Sequence, residues 1–150
     1  MQAKELTDRA LELAQKSIAE KGELKALVIM QTKKGIVAMP YKDGSMPHEF
    51  QKLLIVGIIR ACREAGDFDG VVMVSEAWAS MPTKPELAQV LPPSLDPDRK
   101  EIVFAFAHGS DDSKHAVTVD FIREGPEVRL GEPRIVTDEI HSWLENAFAE

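Results

Sequence analysis

The sequence predicts a single α+β domain, with helices packed on a mainly antiparallel sheet, in the order α-β-β-α-β-β-β-β-α. Three observations carry this reading. Segments with helical spacing of apolar residues alternate with aliphatic or alternating runs. The later runs are joined by short polar turns, as in a meander. No repeat, low-complexity tract or linker divides the 150 residues.

The first helix is predicted over residues 3–21. Leu6, Ala10, Leu13, Ala14 and Ile18 recur at helical spacing between charged residues, and Gly22 supplies the stop. Leu24 to Gln31 and Ile36 to Tyr41 are aliphatic runs flanking Thr32-Lys33-Lys34-Gly35, a hairpin signal. Pro40 places the end of the second strand there or puts that strand at a sheet edge.

The second helix follows Asp43-Gly44, with Ser45 as candidate N-cap and Pro47 in the first turn. Phe50, Leu53, Leu54, Gly57, Ile58, Ala61 and Ala65 make one stripe, and Ile55, Val56 and Ile59 lie partly outside it. Leu53 to Ile59 holds no charge over seven residues. A helix packing on one sheet needs an apolar stripe a little over about 100° wide. The surplus must be covered, either by another helix of the chain or by a two-fold partner, so self-association through this helix or the strands beside it is expected.

Val71 to Ala79 is apolar on both faces, the pattern of an interior strand. Residues 80–98 hold five of the nine prolines and form the one long loop; Thr83 and Glu86 have capping-box spacing for a short helical turn. In Glu101 to His108, Ile102, Phe104, Phe106 and His108 point one way and Val103, Ala105 and Ala107 the other. His115 to Arg123 is the return strand, and a further strand runs from Glu127 to Leu130, with a continuation to Val136 past Gly131 and Pro133 open to it. Thr137 or Asp138 caps a last helix with Ile140, Trp143, Leu144, Ala147 and Phe148 as its stripe.

Lys and Arg total 18 against 25 Asp and Glu, a net charge of −7. An acidic surface repels phosphate backbones, which argues against general nucleic-acid binding. Cys62 is the single cysteine, so no internal disulfide forms, as suits a reducing cytoplasm. The charged opening MQAKELTDRALELAQ lacks the apolar core of a signal peptide, and no run approaches the roughly 20 residues of a membrane span. A cytoplasmic location is expected. GxGxxG, P-loop, HExxH, GxSxG and CxxC patterns are absent, so no cofactor is read from motifs.

VVMVSEAWA and, after the proline-rich loop, DPDRKEIVFAFAH carry a resemblance. Ser75, Glu76 and Trp78, then Pro97, Asp98, Arg99 and Glu101, resemble a "SEAW … PDR.E" pattern of uncharacterised bacterial and phage-associated proteins, in which a strand and an acidic turn follow. The resemblance spans about residues 71–113 and implies a bacterial or phage origin; it implies no activity. The turn here, Gly109-Ser110-Asp111-Asp112-Ser113, departs in composition from that pattern.

Glu76 sits in an apolar strand, and a buried carboxylate needs a partner. Arg99 is the expected one, through its two-pronged guanidinium. The structural reading is a tie pinning the loop to the sheet; the functional reading is a general base or ligand anchor beneath the loop. His108 and His115 flank the turn at 109–113. Facing each other across a hairpin neck with Asp111 and Asp112 at the tip, they form a candidate divalent-metal site, although an exposed turn prefers the same residues. His48 and His141 read as exposed, Cys62 as core-lining, Trp78 and Trp143 as core or interface, and Asp67 and Asp69 as turn chemistry.

Two functional expectations follow. One is a small non-enzymatic interaction or binding domain, assembled as a homodimer. The other is a small metal-assisted hydrolase with its site near the loop at 80–98, which requires Glu76, Arg99 and the 108–115 turn to converge.

Overall fold

The computed structural model describes residues 2–41, 46–79, 100–136 and 143–148. In chain order the elements are α1 (Ala3–Lys21), β1 (Leu27–Thr32), β2 (Gly35–Pro40), α2 (His48–Glu64), β3 (Phe68–Ala79), β4 (Lys100–Gly109), β5 (Lys114–Glu124), β6 (Glu127–Leu130), β7 (Arg134–Ile135) and a 3-10 helix (Trp143–Ala147). The strands form one antiparallel sheet of order β2-β1-β3-β4-β5-β6, with β7 returning to pair with β5. The α+β architecture and element order agree with the sequence reading; the continuation past Gly131 and Pro133 is a separate short strand, β7. The Ser45 cap, the Thr83–Glu86 turn and the start of the last helix at Thr137 or Asp138 lie outside the described residues.

α1 forms because its apolar residues recur on one face, and it ends at Gly22 (φ 72°), whose N–H bonds back to the Ile18 carbonyl at 2.8 Å. Its buried side, Ala3, Leu6, Ala10, Ala14 and Ile18, packs on Ile29, Val72, Val74, Val103, Ala105, Ala107, Val117, Val119 and Phe121. Three alanines on that side let the helix lie close to the sheet. The closest approach is at Gly70 (φ 145°), where a Cβ would stand 2.4 Å from Leu6 Cδ1.

The opposite face carries the second core. There Val28, Met30, Met39, Tyr41, Val71, Met73, Phe106 and Ala116 meet Ile55 and Ile59 of α2 and Leu144 and Ala147 of the 3-10 helix. β3 is therefore covered on both sides, and Val72 and Val74 are buried, as an interior strand with two apolar faces requires. β2 both ends at Pro40 and lies at the sheet edge.

One packing expectation is corrected. The stripe Phe50, Leu53, Leu54, Gly57, Ile58, Ala61 and Ala65 is not the core face of α2; every one of these residues is exposed. The buried face is Gln51, Ile55 and Ile59, with Val56 and Cys62 half-buried beside it. At ~100° per residue the two stripes lie about 125° apart around the axis. The helix rotation is set by its neighbours. Arg60 donates from Nε to the Asn146 carbonyl at 3.0 Å, and Arg63 from Nη1 to the Ala147 carbonyl at 2.8 Å. Rotating Leu53 and Leu54 inward would withdraw both guanidinium groups from the carbonyls at the end of the 3-10 helix.

Candidate interaction surface

The outer face of α2 is apolar and open. Phe50 is 52% exposed, Leu53 69%, Leu54 45% and Ile58 45%, in a protein whose buried aliphatics are mostly below 5%. Gly57 sits in the middle of these four, and nothing stands within 4 Å of where its Cβ would be. The surface there is flat enough for another backbone to come close. The exposed stripe carries no charged side chain between Phe50 and Ile58, since Lys52 points aside to Glu49 at 3.3 Å. Scattered exposed apolar residues are ordinary on protein surfaces, but a contiguous stripe on one helix marks a contact site.

The structure places Glu76 and His108 on opposite faces of the sheet. Glu76 alternates with Val72 and Val74 and so faces the α1 side, where its Oε1 accepts the Leu24 N–H at 2.8 Å. The carboxylate ties the segment between α1 and β1 to the middle of the sheet. Arg99, its expected partner, lies outside the described residues.

The expectation that His108 and His115 face each other is corrected. The β4–β5 register pairs His108 with Lys114 and Ala107 with His115, so the two imidazoles project to opposite faces of the sheet. The turn sets this register. Gly109 and Ser113 bond at 2.8 Å, Asp112 N–H bonds to the Gly109 carbonyl at 3.2 Å, and Asp112 takes the left-handed conformation (φ 63°). A residue in that conformation after a tight turn is a common three-residue hairpin solution. Among the described residues no group of three or more His, Cys, Asp or Glu side chains could hold a metal ion.

Ser113, Asp111 and His108 of this hairpin instead serve the fold. Ser113 Oγ accepts the Ala3 N–H at 3.0 Å and donates to Asp111, so the turn caps the first turn of α1, which has no side-chain cap of its own. The Ser113 hydroxyl beside Asp111 holds its carboxyl below the usual carboxylate range. His108 is buried and stacks on Phe148, with ring centroids 3.6 Å apart and planes 5° from parallel. Its Nε2 lies 3.4 Å from Asp112 Oδ1, while Nδ1 is buried with no hydrogen-bond partner among the described residues. Desolvation lowers its pKa, with the Asp112 contact acting against the shift. The ring is a platform for Phe148, which Arg63 covers at 4.7 Å from its centroid.

Of the remaining residues singled out by sequence, His48 is exposed, Trp143 packs edge-on against Tyr41, and Cys62 lines the second core, its thiol pKa raised by burial and by Asp67. His141 lies outside the described residues. Sequence reasoning missed the buried polar pair Tyr41 and Ser75. Burial raises the Tyr41 pKa, with a Ser75 hydrogen bond opposing it. Ser75 was legible only as a polar residue in an apolar strand.

No helix among the described residues is long and apolar enough to cross a membrane. Comparison with known proteins finds no matching family model, curated protein or solved structure. What the fold and surface define is an α+β domain with an exposed apolar helix face that no described residue covers.

Proposed function

We propose that this chain is a non-enzymatic interaction domain that works as a homodimer, with the outer face of α2 as its contact surface. The observation that carries the reading is the exposure of Phe50, Leu53, Leu54 and Ile58 on a helix already packed on its other side. A second copy fits this surface for two reasons. The stripe is uncharged, so two chains of net charge −7 meet there without opposed like charges. Gly57 and Ala61, one turn apart at its centre, allow two such helices to cross closely, and a two-fold axis would bury the same four large side chains of each copy.

Those four residues expose on the order of 400 Å² per chain, about half of the ~800 Å² per partner of a standard interface, so they form its centre and their neighbours the rim. The hydrolase alternative draws no support from the described residues: His108 projects from the face opposite Glu76, and His115, on the Glu76 face, lies four positions along β5 from Val119, which is in register with Glu76. Sedimentation at micromolar concentration tests the proposal. Twice the 16.6 kDa chain mass supports it, and a single chain mass contradicts it.

A further inference from the structure

We infer that the free edge of β2 is a second docking site, which takes an extended segment of a partner protein, alternating apolar and acidic, as an added strand. β2 pairs with β1 on one side only. The hairpin register Thr32↔Gly35 closes a two-residue turn, and Tyr41 N–H bonds the Ala26 carbonyl at 3.2 Å. In an antiparallel ladder alternate residues bond to the same neighbour. Residues 35, 37, 39 and 41 therefore point their amides at β1, while Ile36 and Ala38 point theirs outward. Neither has a backbone partner among the described residues.

Natural sheets guard such edges with charges, prolines or bulges. β2 reads Gly-Ile-Val-Ala-Met-Pro, with no charge along it and a proline only at its last position. Ile36 is 63% exposed and Val37 39%. An exposed row of free N–H and C=O groups is satisfied by another extended main chain, the chemistry of strand addition.

The partner's side chains are specified by what lies beside the edge. Ile36 lines an apolar groove of about 400 Å³ between α1 and the β1–β2 hairpin, with Leu13 and Ile29. Arg9 and Lys16 stand on its α1 wall, against one acid, Glu12, and neither makes an ion pair with a described residue. Lys33 is exposed at one end of β2, beside Lys34, which pairs with Asp67 at 3.9 Å. A strand with apolar residues on the groove side and carboxylates within reach of these cations matches that edge. The choice of another protein over a second copy rests on the α2 dimer reading. A copy already paired two-fold through α2 that also paired two-fold through β2 would extend into an open row unless the axes closed.

The test is binding of an eight-residue peptide alternating glutamate and valine, followed by fluorescence anisotropy. Ala38→Pro removes one outward N–H and leaves the ladder to β1 intact. It is expected to weaken binding at least tenfold. The Arg9→Glu, Lys16→Glu double variant is expected to shift preference to the lysine–valine counterpart. Should Ala38→Pro fail to fold, the wild-type chain and a peptide N-methylated at alternate amides give the same answer, with an expected tenfold loss. Equal binding by Ala38→Pro or by the methylated peptide, no binding of the glutamate–valine peptide, or conversion of an associated chain to a monomer by Ala38→Pro would each overturn the inference. A chain that is monomeric before any substitution tells against the α2 reading instead, and the peptide result stands apart from it.

Discussion

Ile58 and Ile59 are adjacent and identical in chemistry, about 100° apart around α2, yet one is exposed and the other buried, so truncating each to alanine tests the helix orientation directly. Ile59 is 0% exposed and packs in the second core. Ile59→Ala is expected to cost about 2–5 kcal/mol, the transfer term plus a cavity the sheet cannot fully close. Ile58 is 45% exposed. Truncation there removes about three methylene equivalents at ~0.8 kcal/mol each when fully buried, but roughly half that burial exists and no enclosed cavity forms. Alanine's better helix propensity returns a few tenths of a kcal/mol. The net cost of Ile58→Ala in the isolated chain is about 1 kcal/mol or less. Urea unfolding at nanomolar and at high micromolar protein separates the terms. The Ile59→Ala cost should be present at both concentrations, whereas that of Ile58→Ala should grow at the higher one, where association adds stability by mass action. If Ile58→Ala costs as much as Ile59→Ala at nanomolar protein, the outer face is covered within the chain and the reasoning fails.

Gly70→Ala should cost about 2–5 kcal/mol, because alanine is strained at φ 145° and its Cβ meets Leu6, and urea unfolding with a cost under 1 kcal/mol would show that α1 can retreat freely. Glu76→Ala should cost about 1.5–3 kcal/mol by removing the charged acceptor of the Leu24 N–H, while Glu76→Gln, which keeps an oxygen there, should cost less; equal thermal losses for the two would contradict that role. His108 has a depressed folded-state pKa, so the unfolded chain binds its proton first, and stability present above about pH 6.5 is lost as pH falls through the folded value. Thermal melts from pH 7.5 to 5 should therefore fall more steeply for the wild-type chain than for His108→Phe, and parallel slopes would remove His108 as the cause.

Local pattern made most of the fold legible. The alternation of Ile102, Phe104, Phe106 and His108 against Val103, Ala105 and Ala107 is the division between the two cores, and Gly22 ends α1 where its backbone freedom says it should. α2 was legible as a helix but not in rotation. Both its faces are apolar, so periodicity alone supplies two stripes, and the arginine contacts to the 3-10 helix decide between them. The partner of Glu76 was hidden for a different reason: it is a main-chain N–H, which every residue but proline has and which sequence therefore cannot single out. The histidines turned on parity. With Gly109 paired to Ser113, cross-strand partners have numbers summing to 222, so 108 and 115 cannot be opposite each other, and only the turn geometry reveals that.

Cross-linking at Gly57 reports whether two copies meet through α2. Nothing within the described chain lies near that position, and a disulfide requires Cα atoms within about 7 Å, which only a helix crossing there supplies. In a Cys62→Ser background, Gly57→Cys is expected to form, under mild oxidation, a covalent species of twice the 16.6 kDa chain mass, and adding Leu54→Glu should abolish it. A Gly57→Cys chain that stays at single mass, while a cysteine placed at Val37 on the β2 edge cross-links readily, would show that the copies meet elsewhere and would contradict the account.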